Sequence, residues 1–171
     1  MRLLRFGDFK NERPAVELKD VRRVDISVFW EDFSESSFKN DGLYKLGGWL
    51  EKEAESCPKI PNNSRIGSCI YRPSKIICIG LNYAKHAVES EIAVPTKPII
   101  FFKSTTALCG AHHDVVVPRN SEKTDWEVEL AVIIGKKASY ISEKKAMDYV
   151  AGCAPHNDYS ERAFQLERGG Q

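Results

Sequence analysis

The sequence predicts an α+β fold that is mainly β, in which a mixed sheet packs on itself. Two observations carry this prediction: short apolar runs outnumber the segments with helical spacing, and these runs are irregularly spaced along the 171 residues. Hydrophobic residues make up 42% of the chain, and a chain of this length removes roughly two-thirds of its unfolded surface from water. We therefore expect one large domain or two small ones.

The first part of the chain, residues 1–70, is predicted to be a small N-terminal domain. Short strands are expected from Arg2 to Phe6 and from Val24 to Trp30, where apolar and polar residues alternate loosely. Residues 41–56 have leucines near helical spacing and predict a helix with Asp41 as its N-cap. A loop rich in proline, asparagine and serine follows. No cluster of reactive side chains falls here, so we expect a structural role.

The second part, residues 71–171, is predicted to be the larger domain. Its apolar, β-branched runs end at glycine or proline and predict four strands, at Lys75–Gly80, Pro98–Lys103, Val115–Val117 and Asp125–Ile134. Two polar segments that contain alanine predict short helices, at Asn82–Glu91 and Ser142–Ala151. The second helix would begin at Ser142 as N-cap and end at Gly152.

Charge and cysteine content exclude several classes of function. The formal net charge is +1 with no basic stripe, so nucleic acid is not expected as a partner. The apolar runs are far shorter than the ~20 residues of a membrane span, and the charged start does not fit a signal peptide. Five cysteines without a C-x-x-C pair predict a reducing compartment. We expect a cytoplasmic protein that does not bind membranes.

The segment Asp125–Ile134 carries the strongest signal for a site. Side chains alternate along a strand, so Glu127 and Glu129 share one face and lie about 7 Å apart. The continuation Ala131–Ile134 is apolar on both faces, which is typical of a strand covered on both sides. Two carboxylates in a dry site repel each other, and Mg²⁺, Mn²⁺ or Ca²⁺ would remove that cost. The alternative is a half-buried strand with its acids in water.

Two further clusters contain groups that such a site needs. Asp158 offers a third carboxylate, although Asp158 followed by Glu161 also has the form of a helix capping box. His86 and Glu89 stand at i and i+3 on the predicted helix, where a carboxylate can orient an imidazole and raise its basicity. Such a pair suits a general base that activates water. An ordinary surface ion pair is the alternative.

Taken in order, four segments of the chain resemble the fumarylacetoacetate hydrolase family: Gly80–Glu89, Lys97–Lys103, Asp125–Gly135 and Asn157–Gln165. The resemblance runs from about residue 70 to the last residue, and the E-x-E segment is its most specific part. It implies a mixed β-sandwich roll as the fold of residues 71–171, preceded by a small variable domain. Within the family, the chain is most similar to bacterial acylpyruvate and 2,4-diketo sugar-acid hydrolases.

The resemblance also implies a role for each candidate residue. Mg²⁺ or Mn²⁺ would be held by Glu127, Glu129 and Asp158. The pair that activates water would be His86 and Glu89, on a helix that can close over the site. Oxygens of the substrate would be contacted by Lys103, Arg162 and Gln165.

The implied activity is metal-dependent hydrolysis of a carbon–carbon bond in a small 2,4-dioxo acid, by a homodimer. Decarboxylation, isomerisation and a ureidoglycolate lyase-like reaction are the alternatives within the family. The resemblance also implies that family members continue well beyond the point where this chain stops, at Gln171. We therefore expect a catalytic domain that is incomplete at its C-terminal side, and a catalytically impaired fragment is a further alternative.

Overall fold

The computed structural model describes residues 1–89 and 93–168. The chain divides into two compact units, Met1–Ser34 with Cys57–His112, and Glu35–Ser56 with the described residues from His113 onward. The predicted domains, residues 1–70 and 71–171, stay a prediction.

In the described ranges, the strands are β1 (Arg2–Phe6), β2 (Arg13–Glu17), β3 (Arg23–Asp25), β4 (Ile76–Gly80), β5 (Ile99–Lys103), β6 (Thr124–Asp125), β7 (Val128–Ile134), β8 (Val150–Asn157) and β9 (Ser160–Glu161). The α-helices are α1 (Glu35–Phe38), α2 (Gly42–Glu53) and α3 (Ala84–Glu89). A 3₁₀ helix forms at Glu143–Tyr149 and a π-helical turn at Ala163–Glu167. All the strand pairs among these elements are antiparallel.

The first unit is built on a sheet with the strand order β1-β2-β3. Side chains of β1 and β2 pack with Ile60, which lies in the predicted loop rich in proline, asparagine and serine. The core cluster consists of Leu4, Phe6, Ala15 and Ile60. Strands β4 and β5 form a second pair, in which Gly80 lies opposite Ile99. The predicted strands at β1, β4 and β5 are thus confirmed. The strand predicted from Val24 to Trp30 is wrong beyond Asp25, because the chain turns there through backbone hydrogen bonds to Ile26.

A buried ionic network crosses the first unit beside this core. The Arg5 side chain is only 6% exposed and makes two hydrogen bonds to Asp32, at 2.7 and 2.9 Å. It also lies 3.6 Å from the Glu12 carboxylate, which accepts a 2.9 Å hydrogen bond from Arg65. Buried charges are tolerated only when they are paired in this way. The network therefore fixes β1 to two loops of the unit.

The Glu12 carboxylate makes the stability of the protein depend on pH. Burial raises the pKa of Glu12. The hydrogen bond from Arg65 and the charges of Arg5 and Arg65 lower the pKa by a larger amount, so the net pKa lies below the ordinary value of 4.5. The stabilisation is therefore present above pH 4.5 and is lost as pH falls through the folded-state pKa. We expect Glu12→Gln to lower the thermal midpoint more at pH 7 than at pH 3.

Thermal unfolding of wild type, Glu12→Gln and the exposed control Glu31→Gln at both pH values measures this difference. Glu31→Gln should behave like wild type throughout. If the thermal midpoint of Glu12→Gln lies below that of wild type by the same amount at pH 7 and at pH 3, the stabilisation does not come from an ionised Glu12.

The second unit contains the helices α1 and α2 and the strand pairs β7–β8 and β6–β9. The predicted helix over residues 41–56 is confirmed as α2, which buries Leu46 and Leu50. Asp41 occupies the N-cap position in a left-handed backbone conformation, with φ 58°, and its side chain makes no capping hydrogen bond. Packing of the leucine face rather than capping therefore holds this helix.

Leu46 is fully buried, whereas Tyr44 on the same helix is 85% exposed. We expect Leu46→Ala to lower the free energy of unfolding by about 2–5 kcal/mol, because it leaves a cavity under α2. Tyr44→Ala should change it by less than about 0.5 kcal/mol. Urea unfolding of both variants measures the two effects, and equal losses would place Leu46 outside the core.

Two predicted elements of the second unit are wrong. Residues 115–117 form no strand, because β-branched residues favour a strand only when a partner strand pairs with them. The helix predicted over Ser142–Ala151 is a 3₁₀ helix that ends at Tyr149, and Gly152 lies inside β8 opposite Ile133 instead of ending a helix. The pairing of β8 with β7 takes the chain from Val150 onward and prevents a longer helix.

The β7–β8 pair has one half-buried face and one exposed face. Along β7, Glu129, Ala131 and Ile133 are half-buried, and the exposed side chains are Val128, Leu130, Val132 and Ile134. The predicted alternation is confirmed. The predicted coverage of both faces is wrong for the part of the chain that the structure describes.

Candidate functional site

The predicted strand Asp125–Ile134 is broken, and Glu127 lies in the break. Strand β6 pairs with β9, whereas β7 pairs with β8, so the chain changes partner at Trp126 and Glu127. The segment that pairs with β6 and β7 has a matching break at Asp158 and Tyr159, between β8 and β9. The two breaks lie side by side in the second unit.

Backbone and amide hydrogen bonds join the two breaks. The Asp158 N–H donates to the Glu127 carbonyl at 2.8 Å, and the Glu127 N–H donates to Oδ1 of Asn157 at 3.1 Å. Asp158 is buried, with 8% of its surface exposed. Two of the three predicted metal ligands are thus neighbours in the fold, held by main-chain geometry.

Glu129 lies two residue pairs further along, in the regular part of strand β7. It is half-buried and opposite His156 in the β7–β8 register. Glu127 and Glu129 therefore start on the same side of the chain, as the alternation predicts, but Glu127 belongs to the break and Glu129 to the ribbon.

The capping-box alternative for Asp158 and Glu161 is wrong. Glu161 lies in β9, and its carboxylate accepts hydrogen bonds from the hydroxyl groups of Ser121 and Thr124. The hydrogen bond from Ser121 is the main cause of a pKa of Glu161 below its ordinary value. The Glu161 side chain therefore stabilises the β6–β9 pair, and it does not form a helix cap with Asp158.

The Glu127 carboxylate is engaged by two side chains from the β9 end of the site. Its Oε1 accepts a 2.8 Å hydrogen bond from the Ser160 hydroxyl and lies 3.2 Å from Nη2 of Arg162. Arg162 also contacts Asp125, because its Nε and Nη2 both lie 3.0 Å from Oδ2 of that residue. The guanidinium thus bridges two carboxylates of the β6–β7 segment.

The predicted metal ligands fit a hard divalent cation in kind, since all three supply carboxylate oxygens. Their arrangement is different: within residues 1–89 and 93–168, no three Asp, Glu, His or Cys side chains are grouped so that they could hold a metal ion. At Glu127, a cation of the chain itself, Arg162, takes the place next to the oxygen. The structure brings Glu127 and Asp158 together, but it does not assemble all three carboxylates.

The predicted substrate-binding residues fall into both units. Arg162 and Gln165 lie in the second unit, where Nη1 of Arg162 donates to Oε1 of Gln165 at 2.7 Å. Lys103 is the last residue of β5 in the first unit and is half-buried. The first two therefore act as one polar pair beside Glu127.

The predicted helix that carries the catalytic pair is confirmed as α3, which includes both His86 and Glu89 at i and i+3. Glu89 is exposed and the neighbouring Ala87 is fully buried. The side chain of His86, and the end of the predicted helix beyond Glu89, lie outside the described residues. The role of His86 therefore stays a prediction.

Sequence reasoning missed three side chains that shape this site: Asp125, Asn157 and Ser160. Asp125 holds Arg162, Ser160 holds Glu127, and Asn157 holds the backbone of the break. The spacing Asp125-x-Glu127 could have indicated the first of them, because it continues the same alternation. The other two depend on a strand pairing that no local pattern indicates.

A sequence profile described as the C-terminal domain of fumarylacetoacetate (FAA) hydrolase matches residues 75–171. The chain belongs to the fumarylacetoacetate hydrolase family. A relative from Burkholderia multivorans, provisionally named as a hydrolase, is 42% identical over all 171 residues. The chain spans 60% of the length of that relative.

Solved structures agree with this family and confirm the predicted α+β, mainly β fold. Maleylpyruvate hydrolase from Sphingobium sp. SYK-6, in complex with manganese(II) and pyruvate, superposes with a TM-score of 0.76 at 25% identity. Fumarylacetoacetate hydrolase from Exiguobacterium antarcticum superposes with a TM-score of 0.74 at 25% identity. These superpositions cover 99% and 98% of this chain but 62% and 59% of the two enzymes.

The helices also bear on membrane association. None of those in the described residues has the length and the apolar character that crossing a membrane requires.

Proposed function

We propose that this member of the fumarylacetoacetate hydrolase family hydrolyses a carbon–carbon bond in an acylpyruvate-like or diketo sugar acid. The observation that carries the proposal is the likeness to maleylpyruvate hydrolase with manganese(II) and pyruvate, together with the family match over residues 75–171. Pyruvate is the 2-oxo acid that remains when an acylpyruvate loses its acyl group. The proposed substrate class therefore yields the molecule that is bound in the structure of that neighbour.

In the proposed reaction, His86, oriented by Glu89, removes a proton from water. The hydroxide adds to the distal carbonyl carbon of the substrate, and the carbon–carbon bond next to it breaks. The electron pair of that bond passes to the 2-oxo acid fragment as an enolate, which takes up a proton to give pyruvate or a related 2-oxo acid. The acyl fragment leaves as a carboxylate.

The side chains of Lys103, Arg162 and Gln165 are proposed to bind the substrate oxygens. Positive charge and amide donors of this kind stabilise an oxyanion where it develops. Arg162 and Gln165 are already joined at 2.7 Å, so they would present donors to an anion as one unit. We also propose that Glu127, Glu129 and Asp158 bind Mg²⁺, Mn²⁺ or Ca²⁺, which would polarise the substrate oxygens as a Lewis acid.

The protein is further proposed to be a cytoplasmic homodimer. The support is the exposed apolar strip on β7, which includes Leu130 at 61% exposure, because contiguous apolar strips mark interfaces. Sedimentation velocity at several concentrations tests the proposal, and the mass of a monomer at every concentration would contradict it.

Incubation with an acylpyruvate and Mn²⁺ in water labelled with heavy oxygen tests the proposed reaction. Hydrolysis predicts pyruvate, with the label in the carboxylate of the acyl product. Release of carbon dioxide would indicate a decarboxylase, and an unchanged mass with a shifted double bond would indicate an isomerase. Either result would contradict the proposed hydrolysis.

A further inference from the structure

Arg162 is the cation at the proposed metal site in the described structure. Its guanidinium lies 3.2 Å from Oε1 of Glu127 and 3.0 Å from Oδ2 of Asp125. Ser160 donates a hydrogen bond to the same Glu127 oxygen at 2.8 Å, so that oxygen is contacted by two side chains of its own chain.

The position of Arg162 is fixed independently of Glu127. Its backbone N–H donates to the carbonyl of Lys123 at 2.9 Å, within the β6–β9 region, and its Nη1 donates to Gln165. Its Nε points to Asp125, the less buried of the two carboxylates, with 46% of the side chain exposed against 24% for Glu127. If Arg162 left Glu127, it would keep a charged partner in Asp125.

A divalent cation and a guanidinium repel each other at short range, so Arg162 beside Oε1 of Glu127 opposes the binding of a divalent cation to that oxygen. We propose that Arg162 is an internal competitor for metal: it lies against Oε1 of Glu127 in the metal-free protein and leaves that oxygen when a divalent cation binds there. The inference rests on the proposed function, since it takes Glu127, Glu129 and Asp158 as the metal ligands.

The competition has a consequence for the substrate. When Arg162 is paired with Glu127, that carboxylate takes up N–H donors of the guanidinium. When Arg162 is held only by Asp125 and Gln165, those donors are available for an anion. Release by the metal would therefore prepare the proposed anion-binding pair. Arg162 acts here as a positioning residue that couples two sites.

Mn²⁺ titration by calorimetry tests the competition. Arg162→Gln keeps polar donors but removes the charge, and we expect it to bind Mn²⁺ up to about fivefold more tightly than wild type, as for removal of one partly exposed ion pair. Arg162→Lys should fall between the two. Arg119→Gln, an exposed cation outside the site, should match wild type. Equal or weaker binding by Arg162→Gln would overturn the inference while leaving the metal site intact.

A measurement without metal makes the two failures distinguishable. In protein treated with a chelator, the thermal midpoints of Arg162→Gln, Glu127→Gln and the double variant should be non-additive, because each single change removes the same contact. Additive shifts would overturn the inference whatever the Mn²⁺ result. Non-additive shifts with no Mn²⁺ bound by wild type or by Arg162→Gln would show the contact without a metal site, and so overturn both the competition and the metal part of the proposed function.

Discussion

Replacing His86 by alanine is expected to lower the turnover number by about 10²–10⁴-fold, the usual contribution of a general base. The reason is that His86, next to Glu89 on α3, is the residue proposed to take the proton from water. Mn²⁺ affinity should hardly change, because His86 is not a proposed ligand. Steady-state kinetics with an acylpyruvate, together with Mn²⁺ calorimetry, measures both quantities.

His112→Ala is the matched control, since His112 lies in a loop without a proposed role. It should leave turnover close to that of wild type. Near-normal turnover of His86→Ala would instead favour the surface ion pair with Glu89. A loss of Mn²⁺ affinity in parallel with turnover would place His86 among the ligands.

The second large effect is expected at the metal. Glu129→Ala should weaken Mn²⁺ binding by at least about 100-fold, because it removes one of three proposed ligands, and even partners outside the ligand shell are worth 10–100-fold. The half-buried position of Glu129 in β7 argues that the change leaves the strand pairing in place. Calorimetric titration of wild type and Glu129→Ala gives the comparison.

Glu143→Ala provides the control, because Glu143 is an exposed acid at the start of the 3₁₀ helix. It removes the same charge from the protein without touching the site. Equal Mn²⁺ binding by wild type and Glu129→Ala would remove Glu129 from the ligand set.

Much of the strand and helix pattern could be predicted from local sequence. The apolar runs of β4 and β5 and the leucine spacing of α2 each identify their element, because these patterns involve residues that are close together in the sequence. The alternation of Glu129 with Leu130 is equally local. Such features need no knowledge of the partner strand.

The failures share a physical cause, which is pairing between distant segments. The break at Glu127 exists because β6 and β7 pair with different strands, and nothing in Asp125–Ile134 itself indicates a change of partner. The early end of the predicted helix at Tyr149 follows from the pairing of β8 with β7. Local sequence patterns predict neither the break at Glu127 nor the end of the helix at Tyr149.

The same limit applies to the site. The E-x-E spacing predicts two carboxylates on one face, and the family resemblance adds Asp158. Neither indicates that Arg162, about 35 residues along the chain, lies against Glu127, because that contact depends on the β6–β9 pairing. The sequence therefore does not predict the contact between the Arg162 guanidinium and Glu127.

The central claim is that Glu127, Glu129 and Asp158 bind a divalent cation, and that Arg162 then leaves Oε1 of Glu127. Anomalous X-ray diffraction from crystals grown with Mn²⁺ tests it most directly, because the anomalous signal gives the position of manganese without any assumption about which residues bind it. We predict one manganese peak coordinated by Glu127, Glu129 and Asp158, with the Arg162 guanidinium on Asp125 and away from Glu127. Manganese bound only elsewhere, or Arg162 still on Glu127 beside a fully coordinated ion, would contradict the account.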